Sequence, residues 1–319
     1  MTNNDFFKKL ESWYEKKYKL LFFLPLFLFL FSIVSIIITI GEDGTPIYRD
    51  VSLKGGLSAI IESTALSSVE LQEKLENDFK DNSFIVSNLE EDGEVIGFIV
   101  DTDMDEGIFT QEVSLILGEE LVLGENYSSN FISPTLSLSF FKQAMVILAI
   151  SFLLMSGVIF LYFRELVPSG AIVLSALFDL IVTVGVLNFF EVHIGVAGIG
   201  ALLMIIGYSI DTDVLLTNRM YKEENDDPIL EKLSFSFRTG LLMTLTTLVA
   251  GIGAMILTNS SVIFQIALIL VVGLLVDFVS TWFSNAGILY HWLLSREKKG
   301  IVSHSGGSGN PKKKSKRRK

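Results

Sequence analysis

Four aspartates lie inside long apolar stretches of this 319-residue sequence: Asp179, Asp211, Asp213 and Asp277. A carboxylate near the centre of a bilayer costs roughly 2.5–3.5 kcal/mol even on the gentler insertion scales. The chemistry expected of such residues is the relay of protons or ions, or a conformational lock with a neighbouring helix. The alternative is that these acids cap helix breaks, form hydrogen bonds there, or reach toward water.

Asp211 and Asp213 are the strongest candidates, because two acids so close together should not both stay charged cheaply. They are two residues apart, which is about 200° around a helix, so they face different neighbours. Arg219 follows nearer to the membrane interface, where it can pair with an acid or with a lipid phosphate. A plain cytoplasmic-side cation is an equally good interpretation of Arg219.

Hydroxyl-bearing and small residues accompany the acids. The stretch that contains Asp211 is rich in glycine, alanine and serine, which allow helix backbones to approach closely in a membrane. In the next apolar stretch, the hydroxyls of Thr244 and Thr247 can donate to buried carboxylates. The commoner alternative for a single threonine is a bond to a carbonyl of its own helix.

Several classes of chemistry are disfavoured by composition. The chain has no cysteine and only three histidines, which lack the spacing of metal ligands. It contains no nucleotide-binding loop and no recognisable catalytic triad. We therefore expect no enzymatic activity, no cofactor and no metal, and we expect any energy used to come from an ion gradient or from a partner.

The apolar residues fall into six blocks long enough to cross a bilayer. Half of the residues are hydrophobic and the mean hydropathy is +0.52. A signal peptide is the alternative for the first block, but the block is too long for a typical signal core. The predicted spans are Leu20–Ile40, Met145–Phe163, Val167–Phe190, Ile194–Leu216, Thr239–Leu257 and Val262–Leu294.

Charge predicts the orientation of these spans. The segment 41–141 has 21 acidic and 4 basic residues, whereas the tail from Arg296 has 10 basic residues and one acid. The positive-inside rule therefore places both termini in the cytoplasm, with the protein in the cell membrane.

The terminal basic run is a topogenic, solvated tail, or it contacts anionic lipid or ribosomal RNA. The predicted divisions are 1–19 cytoplasmic, 20–40 first span, 41–141 external, 142–294 spans two to six, and 295–319 basic tail.

The external segment has the pattern of a folded α+β domain. Leu57–Ile61, Phe84–Leu89 and Val95–Val100 are typical of strands, and Gly93 favours a hairpin turn. Ser67 with Glu70 predicts a capping box that opens a helix to about Phe79, and a second helix fits Ile108–Leu117. This order predicts a ferredoxin-like domain between the first and second spans, finished by a strand near Leu121.

Four segments together resemble the SecF family, which forms part of the SecD–SecF accessory complex of protein export. They are a Gly55-Gly56 element after the first span, Ser175–Leu180, Gly207-Tyr208-Ser209-Ile210-Asp211-Thr212-Asp213, and Arg238-Thr239 with Thr244–Leu248. Bacterial members read Asn-Asp-Thr where this chain reads Asp211-Thr212-Asp213. Thr212 thus occupies the usual aspartate position, and Asp211 matches the SecD position. With Asp277 and Asn285-Ala286-Gly287, this pattern is similar to the archaeal branch.

The resemblance implies membership of the resistance–nodulation–division superfamily. It implies a SecD-like subunit as partner, in a pseudo-symmetric unit of twelve helices. It also implies contact with the Sec channel and with an unfolded preprotein, and proton movement through interhelical carboxylates that drives the external domains. Candidate coupling residues on this basis are Asp211, Asp213, Asp179, Asp277, Arg219, Arg238 and Thr247.

Two other functions remain open from the sequence. The chain can be half of a gradient-driven exporter of small molecules or lipids, although its single external domain of about one hundred residues is small for that class. It can also be a scaffold that only stabilises a partner, with the acids joining helices.

Overall fold

The computed structural model describes residues 20–79, 82–91, 94–222, 228–258 and 260–298. The N-terminal segment 1–19, the predicted turn at Gly93 and the tail from residue 299 lie outside this range. The helices are α1 Phe23–Asp43, α2 Val51–Lys54, α3 Ser68–Asp78, α4 Glu106–Leu117, α5 Pro134–Phe163, α6 Leu166–Phe189, α7 Val196–Thr217, α8 Ile229–Leu257, α9 Ser261–Ser280 and α10 Ala286–Lys298. The strands are β1 Gly56–Ile61, β2 Phe84–Glu91, β3 Glu94–Thr102 and β4 Tyr127–Ile132.

Six helical segments among the described residues are long and apolar enough to cross a membrane, which confirms the predicted number of spans. The second begins at Pro134, before the predicted Met145. Pro134 stands in the first turn, where its missing N–H costs nothing. The polar residues Lys142 and Gln143 lower the hydropathy of the first turns, so the predicted span began only at Met145. The sixth segment, Ser261–Glu297, includes a π-helical turn at Thr281–Asn285 that joins α9 to α10.

The four strands form one antiparallel sheet in the order β2-β3-β1-β4. The predicted capping box is present, since Ser67 Oγ accepts from Glu70 N–H and the Glu70 carboxylate accepts from Ser67 N–H. The strand predicted near Leu121 is wrong, because the fourth strand begins at Tyr127. Leu121 N–H instead donates to Ser114 Oγ at 3.2 Å, which ties that residue to the end of α4.

One apolar core holds this sheet to its helices, and we call the unit of β1–β4, α3 and α4 the inserted domain. Alternate residues of β1 and β3 point to one face, where α3 and α4 cover them. The fully buried members include Leu57, Phe98, Leu71, Leu75 and Phe109. In the chain the inserted domain follows α1 and precedes α5.

Three helices, α6, α7 and α9, form the centre of the apolar bundle and contact one another. α1 packs on α6 so closely that a Cβ on Gly185 would lie 2.3 Å from Ser32 Cβ. A side chain on Gly273 of α9 would likewise overlap Ile205 of α7. Small residues at these crossings therefore let the helices approach closely.

The Gly55-Gly56 pair joins the inserted domain to the bundle. Gly55 has φ 88°, and a Cβ there would lie 2.5 Å from Pro134 Cα. Gly56 has φ 140°, and a Cβ there would lie 2.4 Å from the Thr102 carbonyl oxygen. Both positions therefore need glycine for conformation and for space.

We expect Gly55→Ala to lower the free energy of unfolding by roughly 2–4 kcal/mol, because it adds a backbone clash to left-handed strain. Gly124→Ala is the matched control, with φ 86° and nothing within 4 Å of the added Cβ. It should cost about 1 kcal/mol from strain alone. Unfolding of the purified protein in detergent measures both, and equal losses would contradict the close approach at Pro134.

Candidate functional site

Asp179 lies wholly buried in the middle of α6, with a hydrogen-bond donor from each of two other helices. Ser209 Oγ of α7 donates to Asp179 Oδ2 at 2.5 Å. Ser280 Oγ, at the end of α9, donates to Asp179 Oδ1. One carboxylate therefore bonds to all three central helices together.

Asp213 of α7 is equally buried and receives both of its recorded donors on a single oxygen. Thr281 Oγ1 donates to Asp213 Oδ1 at 2.9 Å, and Asn285 Nδ2 donates to the same atom at 2.6 Å. The second oxygen, Oδ2, is buried without a hydrogen-bond partner among the described residues. A buried acceptor left in this way is costly unless it gains a proton, a water molecule or a moved side chain.

Asp277 of α9 completes the group. Thr281 Oγ1 lies 3.3 Å from Asp277 Oδ1, so one hydroxyl proton is shared between Asp277 and Asp213. Asp277 Oδ2 is also buried without a partner in the part of the chain that the structure describes. We call the set Asp179, Asp213, Asp277, Ser209, Ser280, Thr281 and Asn285 the carboxylate network.

The π-helical turn Thr281–Asn285 places the two donors of Asp213. These residues are four positions apart, and the turn closes with Ala286 N–H donating to Thr281 O. Such a turn widens the helix locally and is often found at functional sites. Here it directs both Thr281 and Asn285 to the same carboxylate of α7.

Three carboxyl groups meet in this network. Asp179 lies close enough to Asp213 and Asp277 for these groups to repel one another when they are ionised. The donors recorded for the three carboxylates are neutral hydroxyls and one amide. Neutral donors compensate the loss of water only in part, so the charge of the network and the packing of its helices depend on each other.

Asp211, in contrast, lies on the outer surface of α7 and the structure does not bring it to the network. Gly207 and Tyr208 of the same sequence signature are also exposed, whereas Ser209 is buried against Asp179. A Cβ on Gly207 would meet nothing within 4 Å. We call the exposed stripe of Gly200, Met204, Gly207, Tyr208 and Asp211 the outer face of α7.

The other sequence candidates lie around the network rather than in it. Arg219 stacks over the Phe235 ring of α8, with its Cζ 3.5 Å from the centroid. Arg238 is half-buried in α8, two residues before Gly240, which packs against Trp282 of the π-helical turn. Thr247 Oγ1 donates to Met243 O of its own helix at 3.0 Å, as in the alternative prediction for this residue.

Sequence reasoning gave no role to Ser280 or Thr281. A sequence signal for Ser280 and Thr281 was nevertheless available, because they follow Asp277 by three and four residues and so share its face of a helix.

Within the described residues, no group of three or more His, Cys, Asp or Glu side chains is placed to hold a metal ion.

The sequence is similar to a known family of membrane proteins over most of its length. The family model described as "Protein export membrane protein SecD/SecF, C-terminal" matches residues 119–295. The chain is 33% identical over 304 residues to the protein-export membrane protein SecF of Methanocaldococcus jannaschii, covering 90% of this chain and 99% of that protein. It is 31% identical to SecF of Pyrococcus furiosus, covering 92% of this chain and 97% of that protein.

A solved structure shares the fold. The crystal structure of SecDF, a translocon-associated membrane protein from Thermus thermophilus, matches with a TM-score of 0.65 at 19% identity. The match covers 88% of this chain and 38% of the SecDF chain.

We expect Thr281→Val to lower the free energy of unfolding by about 1.5–3 kcal/mol, because it keeps the shape but removes the hydroxyl shared by two carboxylates. Thr247→Val is the matched control, since its hydroxyl bonds only within α8. That control should stay within about 0.5 kcal/mol of the parent. Thermal unfolding in detergent compares them, and an equal effect of both would show that the network is not held by Thr281.

Proposed function

The chain belongs to the SecF family of protein-export membrane proteins, and from that premise we propose how its carboxylate network and outer face serve export. The protein is a multi-pass membrane protein and a SecF-type accessory subunit of the Sec translocase, acting with a SecD-like partner. The chain matches relatives named as protein-export membrane proteins over nearly their whole length. This similarity favours a role in protein export over one in the export of small molecules or lipids.

The SecD-like partner covers the outer face of α7 in this proposal. The match covers 38% of the SecDF chain, and we assign the remainder of that fold to the SecD-like partner. The outer face combines glycines that allow close helix approach with Tyr208 and Asp211, which are costly to leave facing lipid. Asp211 therefore serves at the interface with the partner.

Proton movement acts on the inner network in this proposal. Asp179, Asp213 and Asp277 lie on three helices. The Thr281 hydroxyl bridges Asp213 and Asp277, and the hydroxyls of Ser209 and Ser280 bind Asp179. Uptake of a proton removes repulsion between these acids and neutralises a buried carboxylate that has an oxygen without a hydrogen-bond donor. This step changes the contacts among α6, α7 and α9, which are the helices that a gradient-driven cycle would move.

Orientation and partners complete the proposal. We infer from the basic residues before the first span and after the last one that both termini lie in the cytoplasm, and that the acidic inserted domain lies outside. Its strand–helix–strand–strand–helix–strand order and strand order β2-β3-β1-β4 support a ferredoxin-like domain. We assign to it contact with the unfolded preprotein near the Sec channel. Lipid or ribosome contact by the basic tail stays a prediction.

We assign no enzymatic activity to the chain. The proposed work is conformational, and its energy comes from the ion gradient. The alternative is a scaffold in which the acids only join helices, and the next experiment distinguishes the two.

Asp213→Asn should abolish the stimulation of preprotein export by the proton gradient, while the chain still assembles with its SecD-like partner. The amide keeps the size of the carboxylate but cannot gain or lose charge. Export into proteoliposomes, with and without a gradient, measures the effect. Asp78→Asn, at an exposed carboxylate of α3, is the control. Full gradient stimulation with Asn at position 213 would support the scaffold instead.

Gly207→Leu should weaken association with the SecD-like subunit by about tenfold, because a bulky residue overpacks a close helix interface. Gly157→Leu on α5 is the matched control, as both glycines have nothing within 4 Å of an added Cβ. Co-purification from detergent measures the bound fraction. An equal loss with both variants, or none with Gly207→Leu, would contradict the assignment of the outer face.

A further inference from the structure

The loop between α6 and α7 is held by one side chain of α9. Gln265 Nε2 donates to His193 O at 2.8 Å, and Gln265 Oε1 accepts from Gly195 N–H at 3.3 Å. Both ends of one amide therefore bond to the backbone of the same short loop. A displacement of the first turns of α9 must either carry this loop along or break both bonds.

The same loop is bonded to the segment Tyr48–Asp50, which leads through α2 into the inserted domain. Ile194 N–H donates to Tyr48 O at 2.8 Å, and Asp50 N–H donates to Ile194 O at 3.2 Å. These two bonds make a parallel bridge between Arg49 and Ile194. The approach is close, since a Cβ on Gly195 would lie 2.0 Å from Asp50 Oδ2.

The connection from Asp50 to the sheet is short and closely packed. Asp50 Oδ1 accepts from Ser52 N–H at 2.9 Å and so caps α2, which is followed directly by Gly55 and Gly56. Both glycines are packed against backbone, as described above. Movement of the Arg49–Ile194 bridge is therefore passed to β1 rather than absorbed in a flexible linker.

The opposite end of α9 belongs to the carboxylate network. Asp277 follows Gln265 by twelve residues, which is about 18 Å along an uninterrupted helix. Gly198 and Gly273 hold α9 close to α7 along this length. One rigid helix thus connects the loop below the inserted domain with the acids of the bundle.

We propose that Gln265 is a positioning residue that transmits movement of α9 to the inserted domain through the 193–195 loop. This inference rests on the proposed function, because it supplies the physical connection between the network and the domain. Gln265 lies outside the carboxylate network. It acts only through the loop that its amide holds.

The test is a distance measurement by electron paramagnetic resonance in the full chain with its SecD-like subunit. The chain has no cysteine, so Leu115→Cys on the inserted domain and Val249→Cys on α8 give two unique spin labels. Both positions are exposed. The comparison is between the parent and Asp277→Asn, which changes the charge of the network without removing its volume.

We expect Asp277→Asn to shift the distance distribution in the Gln265 background, and Gln265→Met to abolish that shift while association with the partner is kept. Gln143→Met is the matched control, because its amide donates to Ser139 of the same helix on the exposed surface of α5. The shift should persist in this variant. Gln265→Glu keeps the acceptor for Gly195 N–H and loses the donor to His193 O. It should reduce the shift in part, and it serves as the test if Gln265→Met does not fold.

Two results overturn the proposal and differ in what else they remove. A full shift in both Gln265 variants would exclude the role of Gln265 and leave the proposed function intact. No shift in the Gln265 background would remove the coupling between network and domain, and with it the proton-driven mechanism in the proposed function.

Discussion

Three carboxylates share the apolar interior of one helical bundle, and two of them, Asp179 and Asp213, receive their hydrogen bonds from helical segments other than their own. Asp179 of α6 is held by Ser209 of α7 and Ser280 of α9, while Asp213 of α7 is held by the turn that follows α9. Asp179 and Asp213 therefore keep their hydrogen-bond donors only while the three helices hold their positions. This constraint makes helix packing depend on the charge of the network, because buried charges need their partners in place.

The family signature on α7 divides between two surfaces of one helix. Ser209 faces inward and bonds to Asp179, whereas Gly207, Tyr208 and Asp211 face outward. A helix places neighbouring residues about 100° apart, so a short signature can serve an internal network and a partner at once. The triplet Asp211-Thr212-Asp213 is consistent with this division, with one acid on each surface.

Hydropathy and charge were sufficient to predict six spans, because a bilayer requires long apolar helices whatever their packing. The capping box at Ser67 was also predictable, since it depends on two residues three apart. The final strand was misplaced because Leu121 carries strand-like apolarity but is tied to α4 through Ser114. The separation of Asp211 from Asp213 followed from helix geometry, but which of them faces inward depends on packing against α6 and α9. The π-helical turn, and with it the donors of Asp213, has no local sequence signal.

The central claim is that the network exchanges protons as the protein works. The most direct measurement is preprotein-dependent proton flux into proteoliposomes that contain the chain, its SecD-like partner and the Sec channel, followed with a pH-sensitive dye. The account predicts a flux that requires preprotein and is lost when Asp179 is replaced by asparagine. A flux that is unchanged by that substitution, or no flux with the parent protein, would contradict it.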